Sequence, residues 1–308
     1  MTPNFESGKA ARDAITKAAR KRAGGMGRAD VKRFVDQADY DRFLCRVFSR
    51  PDGRLLLKGG TRMLALVPGA RPTNDVDLEA RENTLDVAVE LLKELASIDL
   101  GDWFTFTYRG RQSAGGDSQP EVEATKVIFD VSVAGKPRGT IKVDLALHPR
   151  PSAPVVRATP DFRLDIEEFQ TFDYAMIATE DQIADKACAM MSVFGAAGEG
   201  SSRAKDLVDI AIIALHLRPD AQHLRKAIRD EGARRRLMPF DALVAADGIQ
   251  AGYAGRAASS PILGEYRSWE PALDLANRLL GPVLSGDVSE GTWDPASLSW
   301  GPRAATRG

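Results

Sequence analysis

The sequence predicts an α+β fold, with a mixed-sheet core over residues 1–150 and a mainly helical domain over residues 151–308. Three observations carry that expectation. Short apolar runs of strand length, Arg54-Leu55-Leu56-Leu57 and Val76 with Leu78, lie on either side of a diglycine. Period-two alternation then takes over at 103–108, 126–131 and 140–145, and helical spacing returns beyond about 175. A chain of 308 residues, 44% of them hydrophobic, can bury a core of this size, and the run Pro149-Arg150-Pro151-Ser152-Ala153-Pro154 is the preferred joint between the two parts.

Residues 1 to about 25 are basic and Ala-rich and end at Gly24-Gly25, which reads as a helix and its breaker. From Arg28 to Phe48 the residues Val31, Phe34, Val35, Leu44, Val47 and Phe48 keep roughly helical spacing. The strand at 54–58 enters the glycine turn, and a short helix follows through Met63 to Leu66 before the Pro68-Gly69 break. Asn83 to Ile98 is the clearest amphipathic helix, with Leu85, Val89, Leu92 and Ala96 along one stripe. Trp103 to Tyr108, Lys126 to Val131 and Thr140 to Leu145 read as strands, Arg111 to Pro120 as an exposed loop and Ala134 to Gly139 as a turn. Glu180-Asp181 opens a helix through Ile183, Ala187 and Met190, a Gly- and Ser-rich loop at 195–202 ends it, and Arg203-Ala204-Lys205-Asp206 starts the next. The tail from about 286, with Trp293 and Trp300, has little periodicity and is expected to form an irregular strap or stay mobile.

The chemistry concentrates in the run Lys58-Gly59-Gly60-Thr61 and the downstream pair Asp75-Val76-Asp77. Residues at i and i+2 of a strand emerge on one face, so the two carboxylates can hold a divalent cation between them. Hard oxygen donors suit Mg²⁺, which takes one or two carboxylates and leaves its other positions to water and substrate phosphate. Glycines lacking Cβ let backbone N–H groups approach a triphosphate, particularly where Thr61 opens a helix. This is the layout of a metal-dependent phosphoryl- or nucleotidyl-transfer site. Asp144, flanked by Val143 and Leu145 in the third strand, is a carboxylate where a core strand is ordinarily apolar, which makes it the candidate third metal ligand.

The whole chain excludes several classes. Its net charge of −1 gives no general argument for nucleic-acid binding, so local clusters must carry one. Two exist, at Lys9 to Arg33 and from Arg225 to Arg234-Arg235-Arg236, and solvated helix faces are the ordinary explanation of both. No apolar run is long enough for a membrane span and the N-terminus is polar, so the expectation is a cytoplasmic protein. Cys45 and Cys188 lie in apolar surroundings and are expected as buried free thiols, and His148, His216 and His223 are scattered and read as structural.

A second group stands further along. Lys186 follows Glu180, Asp181 and Asp185, and Lys205, Asp206 and Asp209 open the next helix; salt-bridged helix surface is the bland reading. Nucleotide transfer calls for a cation on the departing phosphates and an acceptor to position the attacking hydroxyl, roles that Lys186 and Asp206 can fill.

In order and spacing, Lys58-Gly59-Gly60-Thr61, Arg71-Pro72-Thr73-Asn74-Asp75-Val76-Asp77-Leu78, Glu180-Asp181 with Asp185-Lys186, and Arg203-Ala204-Lys205-Asp206-Leu207-Val208-Asp209 resemble the AbiEii/MenT-like nucleotidyltransferase toxins of bacterial toxin–antitoxin systems. The resemblance implies a DNA polymerase β-like nucleotidyltransferase core followed by a helical domain, a nucleoside triphosphate with Mg²⁺, a separately encoded antitoxin, and transfer of nucleotides onto RNA, the tRNA 3′ acceptor end foremost. Carried over, Gly59, Gly60 and Thr61 cradle the triphosphate, with Lys58, Arg71 and Thr73 beside it; Asp75 and Asp77 bind metal; Lys186 contacts phosphate and Asp206 completes the site. Arg62 departs from the small or apolar residue usual after Gly-Gly-Thr, and Asp144 is not a dependable family position. The rival readings are nucleotidylation or phosphorylation of a protein at the same site, and a catalytically silent partner that binds nucleotide or antitoxin.

Overall fold

The computed structural model describes residues 5–113, 123–148, 152–194 and 199–303. In chain order it contains α1 (Gly8–Ala23), α2 (Arg28–Val47), β1 (Leu55–Lys58), α3 (Gly59–Leu66), β2 (Val76–Ala80), α4 (Leu85–Ala96), β3 (Phe104–Ser113), β4 (Ala124–Val133) and β5 (Lys136–Leu147). Then follow β6 (Val156–Ala158), β7 (Tyr174–Met176), α5 (Thr179–Met191), the short pair β8 (Val193–Phe194) and β9 (Glu199–Gly200), α6 (Ala204–His216), α7 (Ala221–Arg234), α8 (Asp247–Ala257), a 3₁₀ segment (Pro261–Arg267), α9 (Trp269–Ser285), β10 (Thr292–Asp294) and β11 (Ser299–Gly301).

Local rules account for most of these. Helix α1 begins where the Ser7 side chain accepts the Ala10 N–H at 3.2 Å and stops at Gly24, whose φ of 54° a residue with Cβ seldom adopts. Its apolar face, Ala11, Ile15, Ala19 and Ala23, is buried at every fourth position, so the basic residues of the first cluster lie on its outer faces. Thr84 caps α4 in the same way at the Val87 N–H. Ala134 and Gly135 make a tight positive-φ turn, and β5 begins at Lys136, earlier than the alternation from Thr140 suggests. Of the expected loop at 111–120, residues 111–113 extend β3 and the remainder lies outside the described residues.

Seven strands form one sheet in the order β3-β4-β5-β2-β1-β7-β6. The β3-β4-β5 meander is antiparallel, β5 returns parallel to β2, and β1 pairs antiparallel with β2 and parallel with β7, which makes the sheet mixed. Strands β6 and β7 come from beyond the Pro-rich run, of which residues 149–151 lie outside the described residues, so the sheet continues past that point in the chain. One face is covered by helices: Phe43 of α2 meets Phe106 and Phe129 with ring centroids 5.3 and 5.2 Å apart. On the other face of β2 and β5 stand Asp77 and Asp144, because each strand buries the alternate residues Val76, Leu78, Val143 and Leu145.

The helical half is organised around α6, whose run from Leu207 to Ala214 is buried on every side, Asp209 included, as befits a helix wrapped by α5, α8 and α9. The tail is a β10-β11 hairpin in place of the expected irregular strap. Three-residue strands are too short to show periodicity; what holds them is Trp293, fully buried, with its indole N–H donating to the Ala214 carbonyl at 2.7 Å and its ring edge-on to Trp300. Trp293→Ala is expected to cost about 3–5 kcal/mol, read as a lowered urea midpoint. Both cysteines are buried and free, and burial pushes their thiols up to about 11 and about 12, leaving neither a nucleophile. Among the described residues no helix is long and apolar enough to cross a membrane.

Candidate active site

Each of the two glycines permits a close approach. Gly59 holds φ +65°, and a Cβ placed there would fall 1.8 Å from Asp77 Oδ2. A Cβ on Gly60 would stand 2.8 Å from the Thr73 side chain. The helix therefore starts at Gly59 itself, with extended Lys58 as its N-cap, and the Asp77 carboxylate lies against its first turn. Gly59→Ala meets both the strained φ and the clash, so it is expected to reduce any activity of this pocket by about a hundredfold or more while leaving the far-ultraviolet circular dichroism unchanged.

The Gly59 amide and the hydroxyls of Thr61 and Thr73 have partners within the protein. The Gly59 N–H donates to Gln182 Oε1 of α5 at 3.0 Å, so that amide is engaged by a side chain. Thr61 is buried and donates its hydroxyl to the Asp75 carbonyl at 2.8 Å; it fixes the entry to β2 and does not line the cavity. Thr73 donates to Asp75 Oδ1 at 2.9 Å. Asp75 thus precedes the strand, clamped by two threonines, while Asp77 stands within it. Arg62 turns away: fully buried, it donates to the Ile177 carbonyl and Thr179 Oγ1, both at 2.9 Å, and burial lowers its guanidinium to about 10. The unusual arginine ties α3 to the start of α5 and touches no substrate space.

Strand register completes the acidic wall. Asp77 lies opposite Lys58 on β1 and level with Asp144 on β5, while Lys126 on β4 lies opposite Asp144. All four project into one cavity of about 350 Å³, within the range of small-molecule sites. Burial, then the neighbouring Asp75 charge and that of Asp144, push Asp77 up to about 6 against the pull of Lys58 and Lys205. That mutual repulsion calls for positive charge nearby. Asp144 has a cation already, since Lys126 Nζ lies 2.7 Å from its Oδ1. Among the described residues no group of three or more Asp, Glu, His or Cys is gathered to hold a metal ion. The donor set fits one cation on Asp75 and Asp77.

The facing wall is basic and comes from α5, α6 and the loop before β2. Lys186 is buried, with Nζ 3.0 Å from Asp206 Oδ1 and 2.6 Å from Asp209 Oδ2. Arg71 grips Asp209 with both arms at 2.7 and 2.8 Å, and Arg203 Nε donates to Asp206 Oδ2 at 2.6 Å. Burial alone would lower the Lys186 ammonium, but the Asp206 and Asp209 charges outweigh it and raise it; burial would likewise raise Asp209, and Lys186 with Arg71 holds it low. Lys58 Nζ is 3.4 Å from Glu79 Oε1, and Lys205 closes the rim.

Sequence reasoning named Lys58, Gly59, Gly60, Arg71, Thr73, Asp75, Asp77, Asp144, Lys186 and Asp206, and all of these line the cavity; Thr61 stands behind it. It passed over Asp209 and Arg203 as helix-start charges and Lys126 as a strand residue. Asp209 carried a usable signal, one acid within the apolar run Leu207 to Ala214. The Arg234-Arg235-Arg236 cluster is different from its sequence appearance: Arg235 is buried and held by Asp185 and Glu231, Arg234 pairs with Glu231, and Arg236 is the exposed member.

The family described as "Nucleotidyl transferase AbiEii toxin, Type IV TA system" matches residues 42–275. Among solved structures, the nucleotidyltransferase toxin MenT4 (Rv2826c) from Mycobacterium tuberculosis H37Rv is 21% identical, with 89% of each chain covered and a TM-score of 0.52, a likeness of fold. JHP933 from Helicobacter pylori is 17% identical over 82% of this chain and 94% of its own, with a TM-score of 0.43. No curated protein sequence matches the chain significantly. With most of its length matched, the chain belongs to the AbiEii family and is a nucleotidyltransferase toxin of a type IV toxin–antitoxin system.

Proposed function

We propose that the protein is an Mg²⁺-dependent enzyme of the cytoplasm that transfers nucleotides from a nucleoside triphosphate to the 3′-hydroxyl of RNA, the tRNA acceptor end foremost, with release of pyrophosphate. A cognate antitoxin protein restrains it. The observation that carries this reading is the pairing of Asp75 and Asp77 with the Arg71–Lys186 wall across one cavity. In this reading residues 1–150 supply the nucleotidyltransferase core, and the helical part over 151–308 completes the active site with Lys186 and Asp206.

Asp75 and Asp77 are the residues that would hold the metal, whose charge, when bound, would stabilise the reacting and leaving oxygens. Lys186 and Arg71, both anchored on Asp209, are fixed cations for the phosphate tail, and their geometry is set before substrate arrives. Lys58 and Lys205 add charge at the rim. Asp206 has both oxygens engaged by Lys186 and Arg203, so it acts by orienting those cations; a direct part in positioning the attacking hydroxyl does not suit a carboxylate paired on both sides.

Incubation with each labelled triphosphate, Mg²⁺ and total cellular RNA separates the readings. Label on RNA 3′ ends is the expected result, and it disappears with chelator. Label on protein moves the same pocket to protein modification, and label on neither leaves a binding protein.

A further inference from the structure

We propose that Lys126 stands in for a second divalent cation, so that the pocket carries one metal ion, on Asp75 and Asp77. The inference rests on the metal-dependent reading above. Three carboxylates around a phosphate pocket form the kind of donor set that in two-metal sites holds ions about 4 Å apart, one beside the attacking oxygen and one beside the leaving group. Here the third carboxylate is matched from within the fold. Lys126 and Asp144 lie directly opposite each other on antiparallel β4 and β5, so both side chains leave the sheet on the face where Asp77 stands. The ammonium lies 2.7 Å from Asp144 Oδ1, close enough for an ion pair but outside hydrogen-bond geometry, so the match is one of charge.

Of the other pocket cations, Lys58 leans to Glu79, Lys186 to Asp206 and Asp209, Arg71 to Asp209 and Arg203 to Asp206, while Lys205 stands at the rim; the cation paired with Asp144 is Lys126. Strand pairing holds the residue beside Asp144, and unlike an ion it cannot dissociate. A lysine head is a compact point charge with three donors, which neutralises one carboxylate but supplies no further ligand positions. An acceptor hydroxyl approaching the Asp144 flank would meet an ammonium–carboxylate pair where a two-metal site presents a second ion.

Counting ions tests this independently of turnover. Manganese is titrated into the full chain with one equivalent of a non-hydrolysable triphosphate analogue, and bound metal is read by electron paramagnetic resonance after subtracting the analogue's own complex. One ion per chain is expected for the parent and for Lys126→Arg. Two are expected for Lys126→Ala, falling back to one when Asp144→Ala is added. Two ions in the parent, or one in a folded Lys126→Ala protein, overturn the inference while leaving metal-dependent transfer standing. No bound ion in the parent overturns both.

Discussion

Asp77→Asn is expected to lower nucleotide transfer by about a thousandfold or more while leaving the protein as stable as its parent or more so. The amide keeps the shape that fits against Gly59 but removes the charge that, in the proposed reaction, would hold a cation. The stability half follows from electrostatics. Burial and the Asp75 and Asp144 charges raise the Asp77 carboxyl to about 6, above the ordinary unfolded value near 4, so its ionised form at neutral pH works against folding. Removing that charge relieves a repulsion. Thermal melts and a labelled-nucleotide assay on the same preparation check both halves, and near-parental transfer by the folded variant would sink the assignment of the acidic wall.

Asp102→Asn should have the opposite profile, a loss of about 3–5 kcal/mol in stability with transfer per folded molecule unchanged. Asp102 is fully buried at the entry to β3, where it receives Arg42 Nε at 2.7 Å and Arg46 at 2.9 and 2.7 Å, and both arginines are buried too. The guanidiniums stack over Phe169 and Phe106, with no water-facing position to retreat to. Removing the carboxylate therefore strands Arg46 and leaves Arg42 with only Asp41, 3.9 Å away. Burial alone would raise the Asp102 carboxyl, but hydrogen bonds and charge from Arg46, with Arg42 behind, hold it below the usual range. Because the folded value is depressed, the stabilisation is fully present above about pH 4 and is lost as the pH falls through the folded value. Denaturation curves for parent and variant should diverge at neutral pH and converge in acid; a constant gap across that range would remove the charge argument.

The two sites differ in how far the sequence foretold them. Asp75 and Asp77 with the diglycine could be read locally, because i and i+2 spacing and the need for a missing Cβ are properties of a few neighbouring residues. Helix α4, with its apolar stripe and Thr84 cap, and the β3-β4-β5 alternation were legible for the same reason. Asp102 was not, since nothing near it announces that α2 will bring two arginines across more than fifty residues. The same holds for β6 and β7, three residues each, which belong to the sheet only because β1 and β7 pair.

By itself the sequence determined the class of fold, the acidic motif, the anchoring glycines and the residues Lys186 and Asp206 of a basic wall. Tertiary structure alone decided that Asp209 is the shared anchor of Arg71 and Lys186, that Lys126 faces Asp144, that Arg62 and Thr61 turn from the cavity, and that Arg235 is buried among acids. Periodicity reports which face of an element is buried, and side-chain chemistry reports what a residue is able to bind. Which charge neutralises which is settled only when strands take their register and helices close the pocket, because Coulomb attraction in a buried site depends on distances of a few ångströms that local spacing does not encode.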